Sequence, residues 1–246
     1  MKSNLLLEDI HRSNDISQEI VVNGFTCIKG KQLQSELNLS ASQIKTFQGY
    51  WEDLKLDMYM NDGGNYRYRR YSQLNRLSQD PIFKLLPHEP YSQPSYINTL
   101  NGNVLRKFEP MGKDFIECTA LNKILYFIQC SIDEIEGNRL SWNIRLHPYR
   151  ILANSESPEL PTPEGLHRDG VDYICTLMLN RINITGGATT ITDLNKSPIK
   201  KITLEDPLDL VIANDNRTMH DVSPVIPTTN SCNGYRDVLV IAFTLI

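Results

Sequence analysis

The triplet His167-Arg168-Asp169, with a second histidine at His220, holds the residues best suited to chemistry in this chain. Two imidazoles and one carboxylate are the facial ligand set of a mononuclear iron(II) oxygenase, which leaves the opposite face of the ion open to cosubstrate and dioxygen. A structural zinc site would instead be closed by protein ligands. If residues 164 to 181 form a strand, side-chain alternation turns His167 and Asp169 to one face, about 7 Å apart along the backbone. His220 must then arrive from another strand. The plainer explanation, surface or core histidines with hydrogen-bonded partners, stands against this until other features agree.

Arg236 follows His220 by 16 residues and heads the apolar run Tyr235 to Thr244, which has the length and β-branched content of a buried strand. A guanidinium there is explained if it takes a carboxylate in a bidentate grip inside a barrel. The alternative is an arginine snorkelling from a strand end to water.

The elements that must position these residues fall into two regions of one expected domain spanning 1–246: a mixed α/β supporting region at 1–139 and strands carrying the site at 140–246. Upstream, Val21 to Ile28 reads as a strand. Ser42 to Met58 reads as an amphipathic helix, capped by Ser40 or Ser42 and followed by a turn at Asp62-Gly-Gly-Asn65. Tyr66 to Tyr71 interleaves aromatic and basic residues, as on a half-exposed strand, with an arginine reaching an anionic small molecule as the functional alternative. Residues 81–101 read as a loop, and Thr119 to Ile132 as a helix with an apolar stripe. Beyond residue 140, strands are expected at Ser141 to Ile151, His167 to Leu179, Thr189 to Asp193, Lys200 to Leu204, Asp209 to Ala213, Thr218 to Val222 and Tyr235 to Thr244. This density of short strands predicts a mainly β fold with helical N-terminal support: a double-stranded β-helix, the cupin-like jelly roll, whose mouth is a natural ligand site.

With 25 basic and 29 acidic residues in 246, a net charge of −4 and a pI near 5.8, the chain offers no general attraction to nucleic acid or an anionic membrane. A small soluble substrate fits better. Its five cysteines are scattered without C-x-x-C spacing, and charged residues occupy the stretch where a signal peptide needs apolar ones, so the expected compartment is the cytoplasm.

The segment Pro163-Glu-Gly-Leu-His-Arg-Asp-Gly-Val-Asp172 resembles the bacterial 2-oxoglutarate and iron(II)-dependent dioxygenase family that includes the free amino-acid hydroxylases acting on isoleucine. Asn180-Arg-Ile-Asn-Ile-Thr-Gly-Gly187, Asp215-Asn-Arg-Thr-Met-His-Asp-Val222 and Tyr235-Arg-Asp-Val-Leu-Val240 extend the likeness in the same order, over roughly residues 140–246. The resemblance implies that His167, Asp169 and His220 bind Fe(II) and that Arg236 holds the distal carboxylate of 2-oxoglutarate. Thr189 or Thr190, just after Gly186-Gly187, is a further candidate to hold the cosubstrate. It also implies that 2-oxoglutarate and O2 are consumed to give succinate, CO2 and a hydroxylated C–H bond.

The expected partner is thus a small-molecule amino-acid substrate, with neither nucleic acid nor membrane. Its carboxylate needs a counter-charge and its ammonium an acceptor. Arg145 and Arg168 are candidates for the first and Asp172 for the second. Arg145 lies in a polar row, Asn143, Arg145, His147 and Tyr149, that faces either the barrel interior or solvent. Gly186-Gly187 reads as a tight strand connection. Competing outcomes are desaturation or cyclisation by the same iron chemistry, or a non-catalytic jelly roll that binds a metal or small acid.

Overall fold

A computed structural model of the chain describes residues 15–60, 63–80, 82–98, 100–153, 160–229 and 234–246. After a helical segment at 15–23 come β1 (Phe25–Ile28), α1 (Gly30–Glu36), α2 (Ala41–Gly49) and a 3-10 turn at Tyr50–Asp53. The short strands β2 (Lys55–Leu56), β3 (Arg67–Arg69), β4 (Ser72–Arg76) and β5 (Lys84–Leu85) precede helices α3 (Lys113–Ile116) and α4 (Thr119–Ile135). The remaining strands are β6 (Trp142–Ala153), β7 (Tyr173–Ile182), β8 (Ile184–Gly186), β9 (Ala188–Asp193), β10 (Pro198–Thr203), β11 (Leu210–Asn214), β12 (Thr218–Val222), β13 (Val225–Pro227) and β14 (Gly234–Leu245).

Side-chain alternation on the long strands builds the layers. On β6, Trp142, Ile144 and Leu146 face the helices with Cys175 and Leu177 of β7 and Ile241 and Phe243 of β14. They pack on the apolar stripe of α4, where Leu121, Ile124, Leu125, Ile128 and Ile132 are fully buried. Each such side chain contributes about 1.5–3 kcal/mol when removed from water. The opposite face of the main sheet, with Met178, Val211 and Val238, meets Ile191 and Ile202 of the smaller sheet and Leu204 just beyond it.

The main sheet runs β1-β11-β7-β14-β6-β3-β2, with β4 also pairing β6 and β5 pairing β4, against a smaller sheet β10-β9-β12 and a pair β13-β8. This is the expected double-sheet jelly roll. Strands from both sides of residue 140 share the main sheet, so the upstream region supplies wall as well as support.

Several expected elements are altered by local chemistry. Residues 15–23 are helical, and Gly24, at φ +84°, ends the helix so that only Phe25–Ile28 extends to pair with β11. Ser40 does cap α2: its hydroxyl accepts from the Gln43 N–H at 3.2 Å while the Gln43 side chain accepts from the Ser40 N–H at 2.9 Å. The helix stops at Gly49 instead of continuing to Met58, because Lys55 and Leu56 are taken up in pairing with β3. The Tyr66–Tyr71 stretch is not half-exposed: Arg67, Arg69 and Arg70 are buried. The turn expected at Asp62 to Asn65 begins outside the described residues. Among the described residues no helix is long and apolar enough to cross a membrane.

Candidate metal centre and the cavity beside it

His167 and His220 meet through a single antiparallel bridge. The His167 N–H donates to the His220 carbonyl at 3.0 Å, and the His220 N–H returns to the His167 carbonyl at 2.9 Å. Directly opposed residues of an antiparallel pair put their side chains on the same face, and the two rings sit with centroids 4.5 Å apart. His220 pairs with Ile191 on β9, and Ile191 is buried between the sheets, so the bridge turns both imidazoles inward. One ligand atom from each of His167, Asp169 and His220 lies within 4.8 Å of the others. Asp169 Oδ2 is 3.5 Å from His220 Nε2.

The period-two argument for His167 and Asp169 does not describe this geometry. The expected strand from His167 begins only at Tyr173, and the intervening backbone turns at Gly170, with φ +72°. What shapes the turn is Asp215, a residue with no solvent exposure. Its Oδ1 accepts from the Asp169 N–H at 3.0 Å, and its Oδ2 accepts from the N–H groups of Gly170 at 2.8 Å and Val171 at 3.1 Å. The carboxylate that holds the turn thus comes from the loop between β11 and β12, just ahead of the strand that carries His220.

The donor set suits a divalent ion. His167 Nδ1 lies 2.7 Å from the Gly165 carbonyl, which fixes the proton on that nitrogen and leaves Nε2 free to take a metal ion. Burial and the neighbouring His167 push the His220 imidazole down to about 3. Burial also opposes charge on His167, but Asp169, Glu164 and the Gly165 carbonyl outweigh it and raise its pKa. Burial lifts the Asp169 carboxyl above its ordinary value. Two crowded imidazoles that cannot both be protonated, beside a desolvated carboxylate, are what a single cation would relieve.

The remaining sequence candidates separate clearly. Arg236 is 3% exposed on β14, and its Nε and Nη2 have no hydrogen-bond partner among the described residues. Burial and the adjacent Arg181 depress its pKa to about 10. Gly187, at φ +66°, leaves room beside it: a Cβ there would lie 3.4 Å from Arg236 Cδ and 3.3 Å from Arg181 Nη1. Thr189 is buried on β9, where the register puts it on the same face as Ile191 and His220. Arg145 lines a polar cavity that also includes Asp169, His147 and Tyr149, so the polar row of β6 faces inward.

Arg168 and Asp172 do not line that cavity. Arg168 donates to Asn216 Oδ1 at 2.7 Å and lies 3.6 Å from Asp215. Asp172 accepts from the Leu245 N–H at 2.8 Å and from Asn216 at 3.2 Å. Both are committed to tying the metal turn to neighbouring chain. His147 is no ligand: its Nδ1 lies 2.7 Å from Arg69 Nη2, between the rings of Tyr71 and Tyr149. His88 hydrogen-bonds the Phe108 carbonyl.

Arg67 and Arg69 of β3 reach the cavity, in line with the alternative of an inward-reaching arginine in the 66–71 stretch, and they are joined by residues that carry no signal in the sequence: Tyr91, Gln93, Asn98 and Arg106, from the segment that spans and follows the expected loop. This segment covers the centre: Gln93 donates to the Asp169 carbonyl at 3.4 Å, and a Cβ on Gly170 would meet the Ile97 side chain at 2.8 Å. Glu164 of the pre-histidine segment completes the wall.

The profile of the 2OG-Fe dioxygenase family matches residues 48–242, which includes every residue of the triad and Arg236. The chain belongs to the 2OG-Fe dioxygenase family. Ferrous iron is accordingly the metal, with 2-oxoglutarate and O2 as cosubstrates. Among relatives of this dioxygenase, a 3(1)-hydroxy-L-isoleucine 4-dioxygenase from Pantoea ananatis (strain AJ13355) is 26% identical over 89% of this chain and 91% of its own. An L-isoleucine-4-hydroxylase from Bacillus thuringiensis is 26% identical over 74% of this chain and 76% of its own. The crystal structure of a bsmA homolog from Methylobium petroleophilum PM1 superposes with a TM-score of 0.85 at 28% identity, covering 94% of this chain and 92% of the other.

Proposed function

We propose that this dioxygenase hydroxylates an aliphatic C–H bond of a free L-amino acid, with His167, Asp169 and His220 holding the iron and Arg236 the distal carboxylate of 2-oxoglutarate. The observation that carries the reading is the convergence of three ligand atoms within 4.8 Å beside a polar cavity whose wall includes Asp169 and Arg145. The two isoleucine-oxidising relatives support a free amino acid as the substrate class. When bound, the metal centre supplies the oxidation: 2-oxoglutarate, O2 and R–H become succinate, CO2 and R–OH.

The protein's own contribution is positioning. Arg236 offers a buried guanidinium to a carboxylate that would otherwise have to be solvated, and Thr189 lies on the inward face of the smaller sheet. Arg145 answers the substrate α-carboxylate. Glu164, in place of Asp172, is the acid on the cavity wall available to the ammonium group. The segment carrying Gln93 and Ile97 excludes water above the Asp169 turn. Cys27, Cys118, Cys130 and Cys175 are free thiols, which supports the cytoplasm as the compartment.

The test is incubation with iron, 2-oxoglutarate and a panel of free amino acids, reading product masses. A gain of one oxygen supports hydroxylation; loss of two hydrogens would replace it with desaturation or cyclisation. His167→Ala is expected to abolish turnover, and unchanged kinetics would remove it from the metal site.

A further inference from the structure

We infer that the substrate carries a second acidic group on its side chain, so that the amino acid taken by this site is a dicarboxylic one. This rests on the amino-acid reading above and narrows it.

The reasoning is a charge balance around the cavity. Four arginines line it: Arg67, Arg69, Arg106 and Arg145. Arg67 is closed off by Asp57, at 2.8 Å from Nε and 2.7 Å from Nη2. Arg69 shares that same carboxylate at 3.8 Å and lies over the Phe108 ring at 3.8 Å and the Tyr149 ring at 4.4 Å. His147 adds no negative charge, and burial together with Arg69, Arg145 and Arg106 holds it neutral.

Arg106 is different. It is 3% exposed, its Nη2 donates to the neutral Gln93 Oε1 at 3.1 Å, it lies 4.8 Å over the Tyr91 ring, and its Nε, like that of Arg69, has no hydrogen-bond partner among the described residues, while unlike Arg69 it shares no carboxylate. Among the described residues neither Arg106 nor Arg145 has a carboxylate at ion-pair distance. Apart from Asp169, which is engaged at the metal centre, the only acid among the described residues on the wall is Glu164.

A neutral amino acid brings one carboxylate and one ammonium. The carboxylate answers Arg145, the ammonium answers Glu164, and Arg106 is left buried without a counter-charge. Buried charges are tolerated when they are paired and hydrogen-bonded. A side-chain carboxylate directed at Arg106 removes the imbalance and gives the orphaned Nε an acceptor. Val240, Ala242 and Ile174, on the main-sheet side of the cavity, would pack against the intervening methylenes.

The experiment compares aspartate, glutamate and 2-aminoadipate with valine, leucine and isoleucine, using the intact iron enzyme and reading amino-acid-dependent succinate together with a product gaining one oxygen. An acidic substrate is expected to exceed every neutral one in kcat/KM by at least about tenfold. Preference for a neutral amino acid overturns the inference while leaving the proposed hydroxylase standing. Absence of any hydroxylated amino acid, with only uncoupled succinate, overturns both.

Arg106→Gln is expected to lower kcat/KM for the acidic substrate at least about thirtyfold, with the KM for 2-oxoglutarate unchanged. Arg106→Lys, which keeps the charge, should retain the preference. A raised KM for 2-oxoglutarate with unaltered amino-acid selectivity would assign Arg106 to the cosubstrate instead and sink the proposal. The wild-type comparison decides the matter even where a variant fails to fold.

Discussion

Replacing Asp215 with alanine removes the acceptor for three backbone N–H groups, at distances of 2.8–3.1 Å, in a turn that carries one of the three proposed iron ligands. Each buried donor left without a partner costs about 1–3 kcal/mol, so the turn stands to lose roughly 3–6 kcal/mol once partial access of water is allowed. That cost is local. The ligands themselves are untouched, and groups that orient metal ligands typically change affinity by about 10–100-fold, or about 1.4–2.7 kcal/mol. Anaerobic titration of Asp215→Ala with Fe(II) should therefore show affinity lowered within that range, with turnover largely recovered at saturating iron. Asp215→Asn keeps one acceptor oxygen and should fall between the two. Wild-type iron affinity in Asp215→Ala, together with an unchanged melting temperature, would refute the claim that this carboxylate shapes the site.

Arg236→Ala should raise the KM for 2-oxoglutarate by about thirtyfold or more with a smaller effect on kcat, since a buried charge pair is broken; equal KM values would remove Arg236 from cosubstrate binding. Asp209, 1% exposed, tests the pH dependence of stability at a distance from the iron. Burial works to raise its carboxyl, but the N–H groups of Gly30, Glu205 and Asp206 and the Lys29 ammonium outweigh it and hold it below the ordinary 3.8. Its contribution is present above pH 3.8 and is lost as pH falls through the lower folded value, so Asp209→Asn should be less stable by about 1–3 kcal/mol at pH 7, with the gap closing below pH 3.8 in denaturant titrations. A gap independent of pH would contradict the assignment. Gly186→Ala puts a Cβ 2.0 Å from the Pro224 carbonyl at φ +75°, and should cost more than about 2 kcal/mol of unfolding free energy; a neutral result would mean the β8–β13 pair moves freely.

The same residues show why some of this molecule is readable from its chain and some is not. Strand Thr218–Val222 and helix α4 lie where periodicity puts them, because burial of one face imposes a repeat on the residues that build it. β8 and β13 escaped notice, each being three residues long, too short to show a repeat. The basic-aromatic stretch at 66–71 alternates as a strand should, but alternation cannot say whether its arginines face water or a cavity. That depends on β3 pairing with β6 so that Arg69 stands beside Tyr149.

Residue type, spacing and family likeness all point to His167, Asp169 and His220, yet the geometry that unites them is different from the one spacing implies. The expected strand through Asp169 is replaced by a turn gripped from 46 residues away by Asp215, and Asn214-Asp215-Asn216 looks like any other turn in sequence. Arg168 and Asp172 carry the charges an amino acid would need, but the fold spends both on holding that turn. Arg106 carried no signal at all, since an isolated arginine after a loop is ordinarily solvated.

The sequence by itself determined the jelly-roll class, through the density of short alternating strands, and with the family resemblance it singled out His167, Asp169, His220 and Arg236 as candidates, because residue type and strand periodicity are written locally in the chain. Only the tertiary structure decided which charges are buried together, what shapes the Asp169 turn, and which arginines the cavity leaves unanswered, because burial and pairing are properties of residues brought together across long separations in the chain.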